Sequence, residues 1–147
     1  ESCLKQIQEA CNVEPIVSPT FYEATFIVAM LAFRDQGVER AVIETGLGGR
    51  WDATRLVDAD CCILTEISLE HTEVLGDTLA EIAEEKAAIV RQGRPLLATW
   101  PYDNSARKAI ERTVRDHDTA WWWRGDRRRA FKFSNAVKPF RPLSSKT

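Results

Sequence analysis

Apolar and polar positions change their spacing several times along this 147-residue chain, and each change marks an element. Residues 1–11 place Leu4, Ile7 and Cys11 on one side of an amphipathic helix. A connector with two prolines, 12–19, follows. Thr20 with Glu23 three residues later has the form of a capping box, a hydroxyl and a carboxylate that satisfy each other's backbone donors. The helix it opens, about 21–36, is apolar nearly all round at Phe26, Ile27, Val28, Met30, Leu31 and Phe33, which predicts burial on several sides. Gly37 closes it.

Beyond this helix the spacing shortens. Residues 40–45 and 60–67 are apolar without alternation, the pattern of strands covered on both faces, usually in a parallel sheet. Thr78 and Glu81 form a second capping-box sequence, opening a helix to about Val90 with Ile82, Ala83, Ala87 and Val90 inward. A third strand is expected at 95–99 and a third helix at 104–116. Strands alternating with helices give an α/β fold, a three-layer, mostly parallel sheet flanked by helices. After Asp118 the character changes: Trp121–Trp123, Arg127–Arg129 and an ending rich in Pro, Ser and Lys read as a basic tail or the start of a further β segment. The Arg124-Gly125-Asp126 tripeptide is read as chance.

Composition adds limits. The chain is 44% apolar and 29% charged, the balance of an ordinary globular domain. No stretch reaches the length of a membrane span, and the polar N-terminus has no signal-peptide form. Cys61 and Cys62 are adjacent in an apolar run, Cys3 and Cys11 share a helix, and no C-x-x-C occurs. A zinc site or disulfide scaffold is not expected, and a cytoplasmic setting fits. Residues 1–90 carry 17 acids against 6 bases, and residues 91–147 carry 5 against 14. Such asymmetry suits either a nucleic-acid-binding tail or two parts of a larger protein.

Candidate chemistry gathers after the first two strands. Glu44 ends the 40–45 run, and Gly46, Gly48 and Gly49 follow within five residues. Glycines let a ligand come close to the backbone, so the loop is either a phosphate or metal site or a tight strand exit. His71 lies just past the 60–67 run, and ligands of parallel sheets sit beyond the strands' carboxyl ends. A carboxylate and an imidazole there would suit Mg²⁺ or Mn²⁺ rather than thiophilic ions. A helix-capping His71 and an exposed Glu44 fit the same spacing. Lys86, beside Glu85, reads on position alone as a surface ion pair. His117, among Asp116, Asp118 and Thr119, reads as solvated. No G-x-x-x-x-G-K-[ST] occurs, and the glycine loop lacks the third spacing of a dinucleotide fingerprint.

Together "SPTFYEAT" (18–25), "AVIETGLGGRWDAT" (41–54), "ILTEISLEHTEVLGDTLAEIAEEKAAIV" (63–90) and "GRPLLAT" (93–99) resemble the folylpolyglutamate synthase and dihydrofolate synthase branch of the Mur ligase family. The resemblance implies that 1–118 is part of a central ATPase domain, with the phosphate loop before residue 1 and a glutamate-binding domain after residue 147. It implies an ATP-dependent ligase that phosphorylates a dihydropteroate or folate carboxylate and joins it to L-glutamate, in an enzyme commonly monomeric. ATP and Mg²⁺ are the implied cofactors, with Mn²⁺ or K⁺ as further candidates. Glu44 corresponds to a magnesium ligand, His71 to a ligand of a second metal, and Lys86 to a lysine that is carbamylated and so offers oxygen to the metal. Gly46, Gly48 and Gly49 would line substrate and phosphate. Three positions depart from the family pattern: Glu70 stands for Asp, Arg55 for Asn and Ala88 for Gly. A non-catalytic remnant or binding module retaining the fold is the alternative, and neither a nucleic-acid nor a membrane partner is expected.

Overall fold

The computed structural model describes residues 2–124; the Arg127–Arg129 run and the rest of the basic tail lie outside the described residues. The chain divides into two compact units between Gly46 and Leu47. No helix among the described residues is long and apolar enough to cross a membrane.

The first unit holds helices α1 (Ser2–Cys11) and α2 (Phe21–Asp35), packed on each other. The capping box forms as the sequence predicts: Glu23 N donates to Thr20 Oγ1, and Thr20 N donates to Glu23 Oε2 at 2.7 Å. At the other end Val38 N bonds Phe33 O and Gly37 N bonds Arg34 O, the paired bonds of a Schellman stop. Two expectations fail here. No residue of α2 is fully buried: its positions from Phe26 to Phe33 are half-buried and Phe21 is 88% exposed, and α1 is the helix packed on it among the described residues. The 40–45 run is not a strand: no strand occurs in the first unit's described residues to accept its backbone bonds, and Val42 is 99% exposed. An apolar run becomes a strand only where another strand completes its ladder.

The second unit carries the sheet. Strands β1 (Cys62–Leu64), β2 (Leu96–Thr99) and β3 (Trp121–Arg124) pair in parallel in the order β1-β2-β3, with Cys62 opposite Leu96 and Leu96 opposite Trp121. The sheet therefore crosses position 118/119. A one-turn helix α3 (Thr72–Leu75) and α4 (Leu79–Ala87) connect β1 to β2, and α5 (Asn104–Asp116) connects β2 to β3. Helices α4 and α5 pack together, and Ala83, Ala87, Ala106, Ala109, Ile110 and Val114 meet Cys62, Leu64, Leu96 and Ala98 in one core. Small alanines on both helices let them approach the sheet closely, while Ile110 and Val114 fill the remaining volume.

The parallel α/β arrangement holds, and among the described residues β1 is buried on one side. In β1 Cys62 and Leu64 point into the core, but Ile63 between them is 57% exposed. The strand is also shorter than 60–67, since three of its residues find partners on β2. Burial pushes the Cys62 thiol up to about 11, and its Sγ lies 3.4 Å from Ile89 O.

Candidate functional site

The second unit's candidate site is built from the loop before β1 and the segment after it. Asp52 organises the loop: its carboxylate accepts from Leu47 N at 3.0 Å, from Thr54 N at 2.9 Å and from Thr54 Oγ1 at 2.6 Å. It thereby caps a short 3₁₀ turn, Ala53–Leu56. Gly48 has φ +65°, a conformation that a side chain disfavours, and a Cβ there would stand 2.9 Å from Leu75 Cδ2. A Cβ on Gly49 would stand 2.7 Å from Lys86 O and 2.9 Å from Glu85 O, and against Ile89 Cγ2 as well. Both glycines are buried. Gly48 admits the Leu75 side chain of α3 and Gly49 the last turn of α4, so this part of the loop is a backbone-on-helix packing surface.

Past β1 the chain reaches Glu70 and His71. His71 precedes α3 with φ 50° and ψ 40°, left-handed for a residue with a side chain, and its ring makes no cap hydrogen bond. The helix-capping reading of His71 is thus not what the structure uses. The ring is more than half exposed, its Nδ1 3.9 Å from Glu73 Oε1. From α4, Lys86 reaches back so that Nζ lies 2.7 Å from Glu70 Oε1; the lysine side chain is 20% exposed. The hydrogen bond from Lys86, reinforced by its charge, holds the Glu70 carboxyl below the usual carboxylate range. Glu70, noted in the sequence as one methylene longer than the residue in related chains, is the partner that takes Lys86 off the open surface.

Glu44 lies in the first unit, where its carbonyl accepts from Tyr22 Oη at 3.2 Å. Gly46 ends that unit with the Tyr22 ring against it; a Cβ would stand 2.5 Å from Tyr22 Cζ. The predicted metal residues are therefore divided, Glu44 in one unit and His71 with Lys86 in the other. Among the described residues no three His, Cys, Asp or Glu groups come together in a metal-holding arrangement. His117, read as solvated, instead closes α5 with Nδ1 2.8 Å from Thr113 O, a distance at which the ring nitrogen donates to the carbonyl.

Sequence reasoning passed over Arg50. Its Nε donates to Glu85 Oε1 at 2.6 Å and its Nη2 to Glu84 Oε1 at 3.5 Å. The other Glu84 oxygen accepts from Arg112 on α5. The available signal was an arginine directly after two glycines; its glutamates stand 34 and 35 residues further on.

Comparison with known proteins gives the following. No family model matches the chain. Over 91 residues it is 45% identical to a probable bifunctional folylpolyglutamate synthase/dihydropteroate synthase of Haloferax volcanii, covering 62% of this chain and 10% of that protein. Over 110 residues it is 36% identical to the folylpolyglutamate synthase of Arabidopsis thaliana, covering 74% of this chain and 19% of that one. Among solved structures, E. coli FolC in complex with DHPP and ADP superposes with a TM-score of 0.76 at 30% identity, covering 85% of this chain and 29% of FolC. The chain spans less than a third of the length of each.

Proposed function

We propose that this chain, which belongs to the folylpolyglutamate synthase and dihydrofolate synthase family, is the part of an ATP-dependent ligase that brings its metal-facing residues to the reacting phosphate. The whole protein would join L-glutamate to dihydropteroate or folate through an acyl phosphate. The observation that carries this reading is the Glu70–Lys86 pair: a partly buried lysine on α4 turned toward the segment that presents His71. A lysine at that place is not a solvated surface charge.

The chemistry explains the residue types. A carboxylate resists attack by an amine until one of its oxygens leaves as phosphate. The charge that develops on the transferred phosphoryl group must be met by cations and donors fixed beforehand. Glu44 is the proposed ligand of Mg²⁺ and His71 of a second metal, while Lys86 would offer oxygen as a carbamate that replaces its ion pair with Glu70; these oxygen and nitrogen donors are of the right kind for a hard ion. Bound there, the ion would supply charge compensation. The described residues do not gather three such donors in one place, so no step is assigned to the ion. Gly46, Gly48 and Gly49 would keep the loop thin where substrate and phosphate pass. In this reading 1–118 is part of the central domain, the glutamate-binding domain lies outside this chain, and the setting is cytoplasmic.

The test is a graft. Residues 18–99 replace the matching stretch of E. coli FolC, and ADP release is measured with dihydropteroate and glutamate. The graft is expected to release ADP only when both are present, and His71→Ala to lower the rate by about 100-fold. A folded graft that is inactive, or one indifferent to His71→Ala, overturns the reading. The 147-residue chain alone is expected to show no ligase turnover.

A further inference from the structure

The geometry points to Arg50 as a positioning residue that latches the glycine loop onto α4 beside Lys86. Close packing of Gly49 on the Glu85 and Lys86 carbonyls sets how near the loop can come to the helix. Packing of this kind is non-directional, and it does not fix the loop's rotation about the contact. The next residue supplies direction. The Arg50 guanidinium spans two successive glutamates of α4, with its Nε 2.6 Å from Glu85 and its Nη2 3.5 Å from Glu84. A planar fork held at two points fixes an orientation that a single ammonium cannot.

Both ends of the latch are themselves held. Arg55 Nη1 donates to Arg50 O at 3.1 Å, which orients the backbone carrying the guanidinium. Glu84 also accepts from Arg112, so the loop is tied through α4 to α5. The Arg50 and Glu85 side chains are 35% and 27% exposed, more enclosed than the freely solvated pairs that contribute little. The polar partners of the Arg50 guanidinium are Glu84 and Glu85. It acts through Glu85, the residue before Lys86, and decides which part of the loop backbone faces that turn. Its functional use rests on the ligase reading above; the latch itself does not.

The experiment is amide hydrogen exchange on the 147-residue chain. The reporters are Leu47, Thr54, Arg55 and Val57, whose amides are hydrogen-bonded within the loop, set against amides of α4 and α5. Arg50→Lys and Glu85→Gln are each expected to speed loop exchange by about tenfold while leaving the helices unchanged, the loss of one charge-assisted bond. The exchanged pair Arg50→Glu with Glu85→Arg is expected to restore protection in part. Unchanged loop exchange overturns the proposal, as does a uniform rise across loop and helices, or a swapped pair no better protected than Arg50→Glu alone. The readout needs neither metal nor nucleotide. An inactive graft therefore leaves the latch standing, and an absent latch leaves the ligase reading standing.

Discussion

The two units use the same local devices and reach different ends. Each opens a helix with a Thr-x-x-Glu capping box, α2 at Thr20 and α4 at Thr78, with nearly identical bonds. In the second unit that helix buries Ile82, Ala83 and Ala87, the two alanines against a sheet and a neighbouring helix. In the first, the more apolar helix leaves its apolar residues half-buried at most. A cap fixes where a helix starts, whereas burial depends on what the rest of the structure sets against its apolar face. The comparison also separates two meanings of an apolar sequence: 62–64 became a strand because β2 offers it a ladder, and 40–45 did not.

Core truncation should break the symmetry most. Ile110→Ala removes a fully enclosed side chain from the second unit and is expected to cost about 2–5 kcal/mol in denaturant unfolding. Phe21→Ala in the first should stay within about 0.5 kcal/mol. Equal losses would mean that α2 is covered after all.

Glycine replacement sharpens the same contrast. Gly49→Ala drives a methyl into helix carbonyls that cannot step aside, and a loss of about 1–3 kcal/mol is expected. Gly46→Ala meets the ring of Tyr22, which can swing away, so its loss should be clearly smaller. A Gly49→Ala chain with unchanged thermal stability would show that the loop does not lie on α4.

The smallest effect is in the caps. Thr20 bonds hold the Glu23 carboxyl below its ordinary value, the backbone N–H foremost. A carboxyl lowered on folding contributes above the ordinary glutamate range, and its contribution is lost as pH falls through the folded value. Far-UV circular dichroism should show a slight loss of α2 helix below about pH 4. Thr20→Ala should abolish that acid step. Persistence of the step in the variant would assign it elsewhere.

How much was legible follows from how far apart the deciding residues are. The capping boxes span three residues, and α5 begins and ends at Asn104 and Asp116 as read from its pattern and neighbours. The Glu44, His71 and Lys86 candidates came from a resemblance over a long stretch, and their partners did not come with them. Lys86 meets Glu70 sixteen residues away, and Arg50 meets Glu84 and Glu85 across 34 and 35 residues. No local pattern distinguishes those charges from the many that face water. The failed strand at 40–45 has the same origin: its own residues suit a sheet, and the missing ingredient is a neighbour.

One residue carries a consequence for how this segment would evolve or be engineered. His71 holds a left-handed backbone, which disfavours any side chain, yet it neither caps α3 nor fills the core. Selection for thermostability alone would drift to glycine or asparagine there. A stability–activity trade-off should therefore concentrate at position 71, and a stabilised library that keeps histidine would report on the imidazole's task without any assay of the reaction.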